Sequence, residues 1–338
     1  MSGPRSLDRP PQEAGAEGGS PLPVDLSVVV PVHNEEDCID EFLSRTEAAL
    51  RTIPVTYEIL FVNDGSRDRT LEIILGHRRR NPLIKAIDLS RNFGKEYALS
   101  AGLRYSSGRA VIPVDVDLQD PPELIPQLYA KWREGFDTVY AMRTGRRGEG
   151  LLKRLTAFLY YRIHNTVATV PIPPNTGDFR LIDRSVVDAI NRLPEHNRFM
   201  KGLFAWVGYR STGIPYERKV RYAGYTKWNF WRLWTFALDG ITSFTTLPLR
   251  VASYVGLLVS LLAFAYGAFE ITYTLIHGID LPGYASLLTV MLFLGGIQLI
   301  ALGIIGEYMA RLFTEVKGRP RYIVRATHGV GPAPSEWK

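Results

Sequence analysis

Short, almost continuously apolar runs alternate with amphipathic stretches from residue 26 to residue 143. LSVVVPV (26–32), YEILFV (57–62), IKAIDL (84–89), AVIPVDV (110–116) and DTVYAMR (137–143) are rich in β-branched residues. That is the pattern of strands covered on both faces. The first is followed by HNEED and then by Ile39, Phe42, Leu43, Ala49 and Leu50 at helical spacing. RTLEIIL, KEYALSAGLRYSS and PELIPQLYAKWREG supply three further helical patterns, the last with proline early in its first turn. Strands alternating with helices predict an α/β, Rossmann-like domain on a mostly parallel sheet. In such sheets ligands bind outside the carboxyl ends of the strands. HNEE, NDGS and DVDLQD fall at three of those ends, so they are expected on one rim.

A second pattern begins near residue 250. VASYVGLLVSLLAFAYGAF (251–269) and LPGYASLLTVMLFLGGIQLIALGIIG (281–306) carry no charge. Each is long enough to cross a hydrocarbon core of about 30 Å as a helix. Only a short piece containing HGID separates them, which predicts a membrane hairpin with spans at 250–276 and 283–310. Arg221, Lys227, Arg232 and Arg250 precede the first span, and Arg311, Lys317, Arg319, Arg321 and Arg325 follow the second. The connecting loop has no Lys or Arg, so the positive-inside rule puts both termini and the α/β domain in the cytoplasm. Just before the first span, Trp228, Trp231, Trp234 and Leu238 share one helical face, so 228–249 reads as an amphipathic segment at the membrane boundary. The organisation expected is a disordered tail (1–23), a catalytic domain (24–227), that segment, the two spans and a cytosolic C-terminal tail (311–338).

Composition changes this little. The 338 residues are 46% hydrophobic and 22% charged, with a net charge of +6 that suits an anionic partner such as phosphate or a membrane surface and does not single out nucleic acid. Cys38 is the single cysteine, which excludes an internal disulfide and a cysteine-rich zinc site. The first 23 residues hold no apolar run of a secretory signal. Neither GxGxxG nor GxxxxGK[ST] occurs, so the glycines of a dinucleotide site or a P-loop are missing.

The most informative chemistry lies in VIPVDVDLQDPPE (111–123), where an apolar run ends in Asp115, Asp117 and Asp120. Carboxylates this close repel, so a positive charge is expected among them. On a strand extended through residue 116, Asp115 and Asp117 point the same way, a spacing that suits Mg²⁺ or Mn²⁺.

PVHNEE, VNDGS, DVDLQDPPE, NTGDFRLIDR, FMKGLFAWVGY and GYTKW, followed by two spans, resemble the polyprenyl-phosphate glycosyltransferases of glycosyltransferase family 2, which have the GT-A fold. The likeness runs from about residue 24 to 325 and is nearest to the bactoprenol (undecaprenyl-phosphate) glucosyltransferases, with dolichyl-phosphate mannose synthases as cousins. It implies a metal site at Asp115 and Asp117, completed by Gln119. It implies that Pro31, Val32, His33, Glu35, Val62, Asp64 and Val116 surround the nucleotide, with Asp64 accepting from a base N–H. Arg143, Arg221 and Lys227 would meet the donor phosphates, and Asp178 would lie near the sugar. For the acceptor phosphate the expected residues are Arg147, Arg154, Arg180 and Lys227. His33 stands where an aromatic residue is frequent in the family.

The activity implied is metal-dependent, inverting transfer of a hexosyl group, glucose first, from a UDP-sugar to polyprenyl phosphate at the cytosolic face of the plasma membrane. UDP-aminoarabinose, UDP-GalNAc and GDP-mannose stay open as donors. The resemblance also implies a homo-oligomer, with a tetramer as one option. A processive polysaccharide synthase would need a QxxRW motif and more spans, and neither is present. A catalytically dead membrane adaptor that binds lipid phosphate is the alternative of another class.

Overall fold

The computed structural model describes residues 24–144, 176–196, 198–217, 247–277 and 283–331. Its core is one eight-stranded sheet in the order β7-β5-β6-β4-β1-β2-β3-β8. The strands are β1 (Leu26–Val32), β2 (Tyr57–Asn63), β3 (Ile84–Leu89), β4 (Ala110–Pro113), β5 (Thr138–Arg143), β6 (Thr176–Asp183), β7 (Ser211–Tyr216) and β8 (Val324–His328). β1 pairs in parallel with β2 and β4, and β2 in parallel with β3. β6 runs antiparallel to both β4 and β5, and β8 antiparallel to β3. The sheet is therefore mixed, with the expected parallel strands at its centre.

Helices α1 (Ile39–Leu50), α2 (Thr70–Arg80), α3 (Lys95–Tyr105) and α4 (Ile125–Arg133) fall where the helical spacing put them. α5 (Arg184–Arg192) and α6 (Met200–Trp206) follow. Two apolar clusters lie on opposite faces of the sheet. Val28, Val30, Ile59 and Phe61 pack with Ile39 and Phe42 of α1, while Val29, Leu60 and Val62 pack with Ala98, Leu99 and Ala101 of α3. Alternate residues of β1 thus feed opposite layers, as the period of two requires. Burial on both faces explains why these strands read as unbroken apolar runs.

One expected boundary is corrected. β4 ends at Pro113, not at residue 116. The amide of Val114 still donates to Val29 O, and the chain then turns, with Leu118 at φ 59°. Asp115 and Asp117 therefore sit in the loop beyond the strand, and the strand-alternation argument for their common direction does not hold.

Beyond the α/β domain, α7 (Leu247–His277) and α8 (Tyr284–Val316) contain apolar windows at Val251–Phe269 and Phe293–Val316 that are long enough to cross a membrane and are not buried within the structure. At 31 and 33 residues each helix is about 45–50 Å long, longer than a hydrocarbon layer of about 30 Å is thick. After α8 the chain returns to the sheet. Ser90 N donates to Ile323 O, Val324 pairs with Leu89, and β8 runs down the edge of β3. Glu315, in the last turn of α8, accepts the backbone N–H of His196 at 2.8 and 3.0 Å. Arg321 and Arg198 both donate to Leu193 O. The C-terminal end of α8 is thereby tied to the carboxyl-end rim of the sheet.

Candidate active site

The rim is assembled from the loops after β1, β2, β3 and β4 and from the start of β6. The β3–α3 loop is fixed by Asp64. Its Oδ1 accepts the Phe93 amide at 2.7 Å and its Oδ2 the Gly94 amide at 2.9 Å. Gly94 has φ 107°, a conformation that suits glycine, and it delivers Lys95 at the first position of α3. Gly65, at φ 63°, has no room for a side chain, because a Cβ there would lie 2.4 Å from the carbonyl carbon of Arg91. The loops after β2 and β3 are thus in direct backbone contact.

Lys95 brings two carboxylates together. Its Nζ lies 2.8 Å from Asp115 Oδ1 and 2.7 Å from Asp178 Oδ2. Burial alone would lower the Lys95 ammonium, but the charges of Asp115 and Asp178 hold it well above its ordinary value. Burial would raise Asp178, yet Lys95, Lys201 and Arg180 outweigh it and keep this carboxyl well below the usual range. Asp115 goes the other way. Burial and the charges of Asp178 and Asp117 push it up despite the pull of Lys95. The half-buried Glu96 is pushed up to about 8 by burial and by Asp178.

On the other side of this group, Tyr216 donates to Asp120 and accepts from Arg143 Nε at 3.2 Å. Arg143 Nη2 lies 3.7 Å from Asp120. Burial and the charge of Asp120 push the Tyr216 hydroxyl up to about 12, so it stays a donor at neutral pH. Arg180 is enclosed, with 5% of its surface exposed. It donates to Gly177 O at 2.6 Å, and its guanidinium covers the Phe204 ring at 4.1 Å. Burial lowers it to about 10. It acts on Asp178 through its charge, from inside the domain.

The residues expected around a nucleotide divide by exposure. Val32, Val62 and Val116 have buried side chains and contribute packing. Pro31 and His33 are half-buried on the rim. His33 Nδ1 donates to Asp64 O at 2.8 Å, and since a carbonyl only accepts, that nitrogen carries the proton. Glu35 begins the turn into α1, where its amide donates to Thr70 Oγ1. Arg147, Arg154, Arg221 and Lys227, with the aromatic segment 228–244, lie outside the described residues. Asp120, the third carboxylate of the acidic cluster, joins the site through Tyr216 and Arg143, and Lys95, Glu96, Lys201 and Tyr216 join it without having been expected there. SRNFGKE (90–96) follows the third apolar run directly, so the strand-end rule that selected the other clusters applied to it as well.

The donor set can be tested for a metal. Among the described residues no group of three His, Cys, Asp or Glu side chains is placed to hold an ion. Mg²⁺ and Mn²⁺ bound with substrate phosphates commonly take only one or two protein carboxylates and complete their shells with phosphate and water. Asp115, its carboxyl raised by burial and then by the charges of Asp178 and Asp117 even with Lys95 against it, has two carboxylates beside it for one ammonium, so a further cation is favoured there. Asp117, 6% exposed, is steadied by the Gln119 amide on its Oδ1 at 3.1 Å. These residues fit a divalent cation.

Residues 27–190 match the profile of glycosyl transferase family 2, and residues 247–312 match the GtrB C-terminal hairpin. The chain belongs to glycosyltransferase family 2: it is a GT-A-fold glycosyltransferase with a C-terminal helical hairpin. Over 315 residues it is 54% identical to an uncharacterized glycosyltransferase of Synechocystis sp., covering 93% of this chain and 99% of that one. Over 307 residues it is 50% identical to the bactoprenol glucosyl transferase of Shigella phage SfII, covering 91% and 99%. A prophage bactoprenol glucosyl transferase homolog of Escherichia coli is 49% identical over 300 residues, covering 89% and 98%.

Proposed function

We propose that this enzyme transfers a hexosyl group, glucose, from UDP-glucose to polyprenyl phosphate at the cytosolic face of the plasma membrane, with inversion. The observation that carries this reading is where the hairpin attaches. α8 ends at Val316, and the chain re-enters the sheet at Val324, opposite Leu89 at the carboxyl end of β3. The rim bearing Asp115, Asp178 and Lys95 is therefore the one nearest the apolar helices, where a lipid phosphate would arrive. Similarity to bactoprenol glucosyl transferases over nine-tenths of the chain supports the acceptor class and the sugar.

In the reaction, an oxygen of the lipid phosphate attacks the anomeric carbon while the bond from that carbon to the donor's diphosphate oxygen breaks. The nucleoside diphosphate leaves with the electron pair. A phosphate monoester has a second pKa near about 6, so the nucleophile is ionised at neutral pH without help from a base. Asp178, kept ionised by Lys95, accepts a hydrogen bond from a sugar hydroxyl and orients the sugar. Arg143, oriented by Tyr216 and Asp120, meets the donor phosphates. A divalent cation held by Asp115, Asp117 and Gln119 would neutralise charge on the departing diphosphate. Arg147, Arg154 and Lys227 are proposed for the acceptor phosphate.

The test is a panel of radiolabelled nucleotide sugars with undecaprenyl phosphate and the purified protein. Label from UDP-glucose is expected in the lipid phase. Label from GDP-mannose, UDP-GalNAc or UDP-aminoarabinose alone would reassign the donor, and no lipid label from any of them would reject the acceptor.

A further inference from the structure

A cavity of about 420 Å³ opens at the tips of β1, β2 and β3, with His33, Ser66, Arg67, Arg91, Asn92 and Arg325 in its wall. Four of these belong to the loops that Asp64 and Gly65 hold together, and His33, after β1, joins them through its bond to Asp64 O. The sixth arrives from after both apolar helices, on β8. Arg325 Nη2 donates to Ser90 O at 2.6 Å, and Nη1 stands 3.5 Å from Asp88 Oδ2.

The bland account of Arg325 is charge compensation for Asp88, which is 5% exposed. The geometry limits that account. A charge-assisted N–H···O bond runs at about 2.7–2.9 Å, and 3.5 Å is well beyond it. Asp88 already accepts from Asn63 Nδ2 at 2.8 Å. The Arg325 side chain is 60% exposed, and a guanidinium carries five donors on a plane that stacks on flat rings.

We infer that Arg325 is a donor-positioning residue: its guanidinium forms one wall of the pocket that receives the nucleoside part of the nucleotide sugar. The inference rests on the donor class proposed above. From this pocket, β1 lies between the nucleoside wall and the β4 loop that carries Asp115 and Asp117, so a nucleotide can span the strand tips with its diphosphate toward the aspartates. The segment after the second apolar helix is then part of the donor site, and donor affinity depends on the seating of β8 on β3.

The test is calorimetric titration of UDP with Mn²⁺ into the full-length protein in detergent, using wild type, Arg325→Ala and the double variant Asp88→Asn/Arg325→Ala. Loss of the guanidinium should raise the Kd for UDP about tenfold, the loss expected for a hydrogen bond to a charged group. The double variant should recover thermal stability, because no buried carboxylate is left uncompensated, and should stay about tenfold weak. Wild-type affinity in Arg325→Ala, or affinity regained in the double variant, overturns the inference and leaves the donor reading intact. A wild-type protein that binds no UDP overturns both.

Discussion

Lys95 Nζ stands 2.7 Å from Asp178 Oδ2 while also holding Asp115 at 2.8 Å, so one ammonium bridges two carboxylates that come from separate segments of the chain. Asp115 belongs to the loop after a central strand, and Asp178 to a strand that pairs antiparallel with it. The carboxylates share a cation although 63 positions separate them in sequence (178 − 115). Any divalent ion bound by Asp115 must compete with Lys95 or share an oxygen with it.

Replacing Lys95 with Met should therefore leave Asp115 and Asp178 without the cation they share, with Lys201 and Arg180 still acting on Asp178. The partners are partly exposed, so the loss in metal-free buffer is about 1 kcal/mol, well short of what a sealed pair would give. Adding Mn²⁺ should raise the thermal midpoint of Lys95→Met by more than it raises that of wild type. Equal gains in the two proteins would show that Lys95 and the ion do not share a site.

Asp64 holds the amides of Phe93 and Gly94 with its two carboxylate oxygens. In Asp64→Asn one acceptor becomes a donor facing an N–H, which should cost about 1–3 kcal/mol of stability. Hydrogen exchange should accelerate across residues 90–98, and Lys95 should lose its fixed position. Unchanged protection there would mean that the β3–α3 loop is held by other contacts.

How much of this was legible from sequence depends on what each element buries. The strands at the centre of the sheet are covered on both faces, and their apolar runs were readable residue by residue. β8, VRATH, lies at an edge, alternates in exposure and pairs with a strand some 240 positions earlier, so no local pattern marks it. β6 was visible only as the motif NTGDFR; its strand character comes from antiparallel pairing that β4 and β5 supply. Pro113 stops β4 where unbroken apolar character suggested continuation. At the site, Asp115, Asp117 and Asp178 stood out by type and place. Of the partners that set their charge, Lys95 lay within reach of the strand-end rule, while Lys201 comes from a helix whose contacts follow from tertiary packing.

Tyr216 links Asp120 to Arg143. Tyr216→Phe should leave the fold intact and free the guanidinium to take other rotamers, raising the KM for the nucleotide sugar roughly fivefold with less change in kcat. Steady-state kinetics over a donor series checks this. An unchanged KM would detach Arg143 from the donor phosphates or Tyr216 from Arg143.

Glu96 gives a pH signature. Its carboxyl is pushed from 4.5 up to about 8 by burial first and then by Asp178, so the native protein holds a proton at pH 7 that the unfolded chain releases. The contribution is fully present below about pH 4.5 and is lost as pH rises through about 8. Wild-type thermal midpoints measured from pH 5 to 9 should carry this downward component, and Glu96→Gln should flatten it. Parallel curves for the two proteins would contradict the assignment.

The most direct measurement is transfer of labelled glucose from UDP-glucose to undecaprenyl phosphate by wild type and by Asp115→Asn/Asp117→Asn, each with Mn²⁺ and with excess chelator. The account predicts lipid-linked glucose only from wild type with metal, and a fall of at least about a hundredfold in the other three arms. Glycolipid formed at the wild-type rate by the double variant, or in chelator, would contradict it.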